Sequence, residues 1–120
     1  MITKTQREEF LDDVTTTALE GGIGYWSVCS SYKWKDVPET VAIIEEFDEA
    51  TGEPFGDKIR VDRALIEKGI KEILSGESNT GQYLIKMVAV ANATNDAGDV
   101  DSDVADAIVQ VGAFGNLVYG

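Results

Sequence analysis

The spacing of apolar residues changes twice along the chain, and this change constrains the fold more than any other feature of the sequence. Over residues 5–22 the apolar residues recur every three or four positions, which is the spacing of a helix with one buried face. Over residues 23–61 they alternate with polar residues, and from residue 62 the helical spacing returns. The pattern predicts an α+β fold with an N-terminal helix, a three-stranded antiparallel sheet, and a helical C-terminal half packed on one face. We expect residues 1–120 to form a single domain, since no linker interrupts them.

Residue types at the helix ends support the first two predicted helices. Thr5 and Glu8 have the spacing of a capping box, and the glycine pair 21–22 is expected to end the first helix. Asp62 is predicted to cap the second helix. Gly69 lies inside that helix and costs stability there, which indicates that another element packs closely against it.

Two further helices are predicted in the last third of the chain. The third carries an apolar stripe made of Tyr83, Leu84, Met87, Val88 and Ala91. The fourth is predicted from Asp103 to about Gln110, with Asp101 or Ser102 as its cap. The remaining residues, 112–120, form an apolar segment punctuated by glycine, which is expected to be a terminal strand completing the sheet or a self-association surface.

The three predicted strands each carry an alternating apolar face. In the first, from Ile23 to Trp34, that face is made of Trp26, Val28, Tyr32 and Trp34, while Ile23, Tyr25 and Cys29 lie on the other. In the second, from Thr40 to Phe47, Val41, Ile43 and Phe47 alternate against acids. In the third, from Lys58 to Val61, Ile59 and Val61 are predicted to face inward. Cys29 is expected to be a small buried hydrophobe.

The charge balance favours a binding protein over an enzyme. The chain has 22 Asp and Glu against 10 Lys and Arg, no histidine, and a formal net charge of −12. Histidine is the side chain best suited to proton transfer near neutral pH, and Cys29 lacks such a base beside it. The negative charge repels nucleic acid and anionic membranes and attracts basic partners. We therefore expect no catalytic residues, no cofactor, no direct nucleic-acid binding and no membrane association. The N-terminal residues also lack the apolar run of a signal peptide.

The aspartate-rich segment between residues 95 and 103 invites comparison with a calcium-binding loop. An EF-hand loop counted from Asp99 would need glycine at its sixth position and glutamate at its twelfth, but these are Val104 and Gln110. A turn between two helices with a carboxylate cap is the favoured interpretation, and no metal site is predicted.

Two sequence blocks resemble a known group of proteins. The first is LEGGIGYW at residues 19–26, and the second runs from IVQ at residues 108–110 to FGNLVYG at residues 114–120. Together they resemble small, mostly uncharacterised proteins encoded by tailed bacteriophages that infect actinobacteria. The resemblance implies a viral protein that acts in the cytoplasm of an infected bacterial host.

The acidic surface is the leading candidate for function. Regularly spaced carboxylates on a small domain can imitate the phosphates of a duplex and occupy a DNA-binding protein. We therefore expect an accessory protein that binds and inhibits a host protein, one that is basic or binds nucleic acid, in defence or transcription. The residues predicted to carry this function are Glu45, Glu46, Asp48, Glu49, Asp96, Asp99, Asp101 and Asp103. The competing interpretation is that these acids only keep the protein soluble.

Two alternative functions remain open from the sequence. The first is a protein that sequesters a nucleotide signal by stacking aromatic rings and pairing cations with phosphates. Its site would be made of Trp26, Tyr32, Lys58, Arg60 and Arg63. The second is a virion or assembly component, in which residues 113–119 would support a homo-oligomer.

Overall fold

A computed structural model describes residues 3–120 and has the predicted α+β architecture. Helix α1 (Gln6–Thr17) continues into a π-helical turn (Ala18–Gly22) and is followed by strands β1 (Ser27–Lys33), β2 (Val41–Phe47) and β3 (Pro54–Val61). The C-terminal half contains helices α2 (Arg63–Ser75), α3 (Gln82–Thr94) and α4 (Ser102–Phe114). The sheet is an antiparallel meander in the order β1-β2-β3. No helix in this described part is long and apolar enough to cross a membrane.

The predicted helix caps are confirmed. The Thr5 hydroxyl accepts a hydrogen bond from the Glu8 amide at 3.1 Å, and the Glu8 carboxylate accepts one from the Thr5 amide at 2.9 Å. Asp62 accepts from the Leu65 amide at the start of α2, and Asp101 accepts from the Val104 amide at the start of α4. Each cap satisfies a backbone donor that the helix itself leaves without a partner.

Helix α4 is longer and more deeply buried than the sequence indicated. It continues past Gln110 to Phe114 and ends where Gly115 adopts a left-handed conformation with φ 84°. All residues from Val104 to Gly112 are buried, with neighbours in α1, α2, α3 and the π-helical turn. The predicted helix end at about Gln110 is therefore four residues too early, and residues 112–114 belong to α4.

Glycines allow α2 and α4 to approach each other closely. A Cβ atom at Gly69 of α2 would lie 2.2 Å from the backbone oxygen of Ile108 in α4. A Cβ atom at Gly112 of α4 would lie 2.5 Å from the backbone oxygen of Leu65 in α2. Neither distance is sterically possible, so the close packing predicted at Gly69 is confirmed, and it requires a second glycine on the facing helix.

The sheet turns a different face toward the helices than the β2 pattern indicated. Ala42 and Ile44 are fully buried, whereas Val41, Ile43 and Phe47 lie half-buried on the opposite face. Glu46 lies on the same side as Ala42 and Ile44, where the Tyr119 hydroxyl donates to it. The acid on the inner face is thus satisfied by a hydrogen bond, and simple alternation misidentified the buried side.

A bulge in β1 breaks the alternation predicted there. Cys29 pairs with Ile44 and Ser31 pairs with Ile43, so Ser30 has no partner across the ladder. The four residues predicted to share one face do not: Trp26 lies before β1 and is 1% exposed, whereas Val28 is 40% exposed and Trp34, after the bulge, 53%. The prediction that Cys29 is buried is wrong, because it lies exposed beside the bulge of an edge strand.

The other predicted apolar faces are largely confirmed. In β3, Val61 is buried and Ile59 packs against the core, although the strand begins four residues earlier than expected, at Pro54. In α3, Val88 and Ala91 are buried. Tyr83 is an error in the predicted stripe, since it lies in the first turn of α3 with its side chain in solvent.

A partly buried ion pair joins α1 to the start of α2. The Arg63 guanidinium donates to both oxygens of Asp12 at 2.9 Å, and it also donates to Glu8 at 3.0 Å. Lys4 adds a second cation 2.6 Å from Asp12, whose side chain is 5% exposed. Burial raises the pKa of Asp12, but the hydrogen bonds and charges of Arg63 and Lys4 outweigh burial and hold the pKa below its ordinary value.

We predict that Gly69→Ala destabilises the protein. In an exposed helix this change is stabilising by about 1 kcal/mol, but here the added methyl group collides with the Ile108 carbonyl and forces α2 and α4 apart. The free energy of unfolding in urea should fall by about 2 kcal/mol. Gly24→Ala is the matched control, because nothing lies within 4 Å of a Cβ at Gly24. A neutral or stabilising effect of Gly69→Ala would contradict the close packing.

We predict opposite effects from removing the charge of two adjacent acids at neutral pH. Asp12→Asn should lower the free energy of unfolding by about 2 kcal/mol, because it leaves Arg63 without its bidentate partner. Asp13→Asn should raise it slightly, because burial and the charges of Glu9 and Asp12 raise the pKa of Asp13.

The linkage to pH has a defined sign for each acid. The lowered pKa of Asp12 contributes stability above its unfolded value of 3.8, and that contribution is lost as the pH falls through the folded pKa. The raised pKa of Asp13 instead costs stability once the pH rises above 3.8. Urea unfolding at pH 3 to 7 tests both, and equal effects of the two substitutions would refute this assignment.

Candidate functional site

Two polar side chains lie on the buried part of α4. Asp106 is 9% exposed and Gln110 is 1% exposed, and they are one helical turn apart on the same side of the helix. The Gln110 amide donates a hydrogen bond to the Asp106 carboxylate at 2.9 Å. Because buried polar groups are costly unless they are hydrogen-bonded, the remaining atoms of this pair require partners from other elements.

The segment before β1 supplies two donors to Asp106. The Trp26 indole N–H donates to Oδ1 at 2.8 Å, and the Tyr25 hydroxyl donates to Oδ2 at 2.6 Å. Burial, the hydrogen bond to Asp106 and the negative charge of Asp106 raise the pKa of Tyr25 to about 12. Tyr25 therefore keeps its proton near neutral pH and remains a donor to the carboxylate.

Gln110 and Trp26 hold the C-terminal segment in place. The Gln110 side-chain oxygen accepts from the backbone amides of Val118 and Tyr119 at 2.8 and 2.9 Å. The Tyr119 ring stacks on Trp26 with centroids 5.2 Å apart, and Phe114 packs edge-on against the same indole. The segment does not extend the sheet, so the prediction of a terminal strand is wrong. Its position is fixed by the Gln110 side chain of α4 and by the Trp26 ring before β1.

The Tyr119 hydroxyl connects this segment to the sheet. It donates to the Glu46 carboxylate, and this hydrogen bond, with burial and the charge of Glu46, raises the pKa of Tyr119 to about 12. We call Asp106, Gln110, Tyr25 and Trp26 the Asp106 cluster. Tyr119 therefore lies between this cluster and the end of β2.

A cavity of about 300 Å³ lies beside the Asp106 cluster. Asp103, one turn before Asp106 on α4, contributes a second carboxylate to its wall. The other lining residues are Tyr25, Leu84, Ala107, Gln110, Leu117, Tyr119 and Gly120. The cavity thus combines two carboxylates and two tyrosines with an apolar wall.

The eight acids predicted to bind a partner lie in two groups. Glu45, Glu46, Asp48 and Glu49 form the first, at the end of β2 and the turn that follows it. Asp96, Asp99, Asp101 and Asp103 form the second, in the loop before α4 and its first turn. We call these the hairpin group and the α4 group. Both groups have a residue near Tyr119. Glu46 of the hairpin group accepts its hydrogen bond, and Asp103 of the α4 group lines the same cavity as Tyr119.

Several of these acids also have structural roles. Asp48 accepts from the Ala50 amide and Asp96 from the Gly98 amide, each at 2.8 Å, while Asp101 caps α4. Such bonds fix the loops in which the neighbouring acids lie. No group of three or more metal-binding side chains in residues 3–120 is placed to hold a metal ion.

The residues predicted for nucleotide binding are not brought together. Trp26 is buried under Tyr119, and Arg63 is held by Asp12 and Glu8. Arg60 forms an ion pair with Asp62 and lies opposite Ile43, on the face of the sheet that points away from the helices. Tyr32 lies opposite Ala42, on the face that points toward the helices. The Tyr32 hydroxyl donates to Glu20, and Lys58 is exposed on β3.

Sequence reasoning missed Asp106 and Gln110, and it named Trp26 only for the nucleotide-binding alternative. Asp106 and Gln110 interrupt the apolar run from Val104 to Val111 at a spacing of four, which is the signal that could have identified them. A polar pair at this spacing inside a buried helix indicates a hydrogen-bonded pair that needs outside partners. Tyr25, Trp26 and Tyr119 carry no such signal, because they meet the pair only through the tertiary fold.

We predict that the protein loses stability as the pH rises from about 10 to 12. The folded state holds the pKa of Tyr25 and Tyr119 at about 12, while the unfolded chain ionises near 10.0 and so binds fewer protons in this interval. Tyr25→Phe and Tyr119→Phe should each reduce the difference between the free energies of unfolding in urea at pH 9 and pH 11. Tyr83→Phe is the control, since Tyr83 is exposed. The same alkaline loss in all three variants would contradict this account.

Comparison with known proteins supplies no relative from which a function could be transferred. No family model, curated protein or solved structure matches the chain.

Proposed function

We propose that the protein is a non-enzymatic bacteriophage accessory protein that binds a basic, nucleic-acid-binding host protein through its acidic surface and blocks that protein's access to DNA. The single observation that carries the proposal is the state of the eight predicted acids. Within residues 3–120, none of them forms an ion pair with a lysine or arginine. Seven of them therefore offer an unpaired charge to a partner, while the inward-facing Glu46 accepts a hydrogen bond from Tyr119.

The surface is negative because the chain has 22 acids against 10 cations, and internal ion pairs leave this excess unchanged, since each pair removes one charge of each sign. Arg63 and Lys4 are engaged by Asp12, Arg7 by Glu67, and Arg60 by Asp62. Four of the ten cations thus serve pairs outside the hairpin and α4 groups. An excess of one sign over a surface attracts oppositely charged partners and accelerates their association.

The two acidic groups are also held in fixed positions, which supports imitation of a phosphate backbone. The α4 group begins a helix that is buried along nine consecutive residues, from Val104 to Gly112. The hairpin group adjoins a turn that is closed by the hydrogen bond between the Gly52 amide and the Asp48 carbonyl. Carboxylates on a rigid support lose little conformational freedom on binding, which favours affinity.

The two alternatives have less support. A nucleotide site would need free cations beside exposed aromatic rings, but Arg63 is engaged and Trp26 is buried. An assembly role for residues 113–119 would need this segment to be available, and its backbone and its Tyr119 ring are bound to Gln110 and Trp26. Val118 is the exposed apolar residue that remains there.

We predict that capture of host proteins depends on salt and on the acidic groups. The immobilised protein should retain basic DNA-binding proteins from an actinobacterial lysate at about 0.1 M NaCl and release them at about 1 M, where the Debye length falls to about 3 Å. Double-stranded DNA added at low salt should displace the same proteins, because both ligands occupy one surface.

Charge reversal tests the surface itself. Glu49→Lys with Asp103→Lys places one reversal in each group and should reduce capture at low salt by about tenfold. Glu9→Lys with Glu77→Lys changes the net charge equally at exposed positions outside both groups and is the matched control. Salt-independent capture, or equal effects of the two double variants, would contradict the proposal.

A further inference from the structure

The Asp106 carboxylate is a buried negative charge without a cation partner. It is 91% removed from solvent, since its exposed fraction is 9%. Its three donors, Tyr25, Trp26 and Gln110, are all neutral, and no lysine or arginine among residues 3–120 forms an ion pair with it. Buried charges in proteins are normally paired with an opposite charge, so this one is exceptional.

Asp12 shows how the same fold treats a comparable carboxylate. Asp12 is 4% exposed and is neutralised by Arg63 and Lys4. It lines a larger recess of about 500 Å³ with Glu9, Asp13 and Trp34, but the two cations already occupy its oxygens. The chain therefore supplies an internal counter-charge at one buried acid and supplies none at the other.

The Asp106 carboxylate has an unused acceptor position and borders the cavity. Its Oδ1 accepts two hydrogen bonds, from Trp26 and Gln110, whereas Oδ2 accepts one, from Tyr25. A carboxylate has about four acceptor positions in total, so one remains on Oδ2. Asp106 lines the 300 Å³ cavity together with Asp103, whose side chain makes no hydrogen bond within residues 3–120.

We propose that this cavity receives an arginine side chain of the partner protein, with its guanidinium between Asp103 and Asp106 and its methylene groups against Leu84 and Leu117. The inference rests on the proposed function and specifies where on the acidic surface the partner's principal contact lies. A cavity near 300 Å³ is at the small end for ligand sites and suits one long side chain.

The chemistry of the cavity favours guanidinium over ammonium. Guanidinium is planar, has five donors and is more weakly hydrated, so it is less costly to bring into a partly buried site. Two carboxylates one turn apart on a rigid helix offer several acceptors to such a group. The apolar wall covers the aliphatic part of the side chain, as is usual for long cationic residues.

Trp26 provides a direct reporter of occupancy. Its indole N–H donates to Asp106, so a guanidinium on the same carboxylate should move the Trp26 indole signal in a ¹H–¹⁵N spectrum. Trp34 is the second tryptophan of the chain and lines the other recess, so its indole signal is an internal reference. Trp34→Phe assigns the two signals.

The experiment titrates the full chain with N-acetyl-arginine methylamide, the lysine derivative, and the neutral isostere made from citrulline. We expect a shift of the Trp26 signal with the arginine derivative, with a dissociation constant of about 1 mM or below, and weaker binding of the lysine derivative. The citrulline derivative should cause no saturable shift. Equal binding of the arginine and citrulline derivatives, tighter binding of lysine, or a shift of Trp34 instead of Trp26 would overturn the proposal.

Substitutions locate the site without disturbing the buried cluster. Asp103→Asn should weaken binding of the arginine derivative by about tenfold, because it removes one charged acceptor. Asp99→Asn removes the same charge from the same acidic group but does not line the cavity, and should leave binding within about twofold. Equal losses in the two variants would mean that only the general field attracts the cation, which would overturn the site.

Butylguanidine, a small guanidine with the same single charge as the capped arginine derivative, separates a protein side chain from a small-molecule ligand. The capped arginine derivative should bind at least as tightly as butylguanidine if the cavity accepts a residue within a polypeptide. Much tighter binding of butylguanidine would overturn the assignment to a partner protein. Failure of the cavity and failure of the proposed function are distinguishable, because salt-sensitive capture lost on charge reversal can persist when the arginine derivative does not bind.

Discussion

The hydrogen-bonded pair formed by Asp106 and Gln110 determines much of the rest of the structure. Both side chains lie on a helix that is buried along nine consecutive residues, from Val104 to Gly112, so water is not available to satisfy all of their polar atoms. The donors and acceptors must come from the chain itself. Tyr25 and Trp26 before β1 supply donors to the carboxylate, and the backbone amides of Val118 and Tyr119 donate to the glutamine oxygen. The course of two separate segments, one before the sheet and one after the last helix, is therefore set by one polar pair in the core.

The second polar element of the interior, the Asp12–Arg63 pair, links stability to surface charge. Its bidentate geometry joins α1 to the start of α2, and Lys4 and Glu8 extend it into a small network. The network contains two cations and two acids, so it leaves the chain's excess of acids, 22 against 10 cations, unchanged. What it decides is which acids are paired, and neither of its cations reaches the hairpin group or the α4 group. The core therefore influences where the unpaired negative charge lies, not how large it is.

Local features of the fold were predictable from the sequence, and features that depend on distant residues were not. Helix ends were predictable because their signals are local: Thr5, Asp62 and Asp101 each cap within three residues of their own position. The buried faces of the strands were less predictable than the helix ends. The bulge at Ser30 and the inward-facing position of Glu46 depend on partners elsewhere in the chain. The candidate site was the hardest to predict. Asp103 was identified by its charge, but Asp106 could be recognised as a site residue only once Tyr25, Trp26 and the cavity had been placed around it.

The energetic state of Asp106 bears on whether the cavity is only a packing defect. A void among apolar side chains costs contact energy but contains nothing that demands a ligand. A carboxylate in such a wall is different, because three neutral hydrogen bonds replace only part of the hydration it lost on burial. Tyr25 cannot neutralise the acid, since its own pKa of about 12 keeps it a neutral phenol. Oδ2 accepts only one hydrogen bond, so it is the oxygen that can still interact with a cation. Asp106 also borders the cavity. A cation bound there would improve the environment of the carboxylate while its own hydration was replaced by Asp103 and Asp106. For this reason a cation bound at Oδ2 would add to the affinity for the cationic partner proposed above.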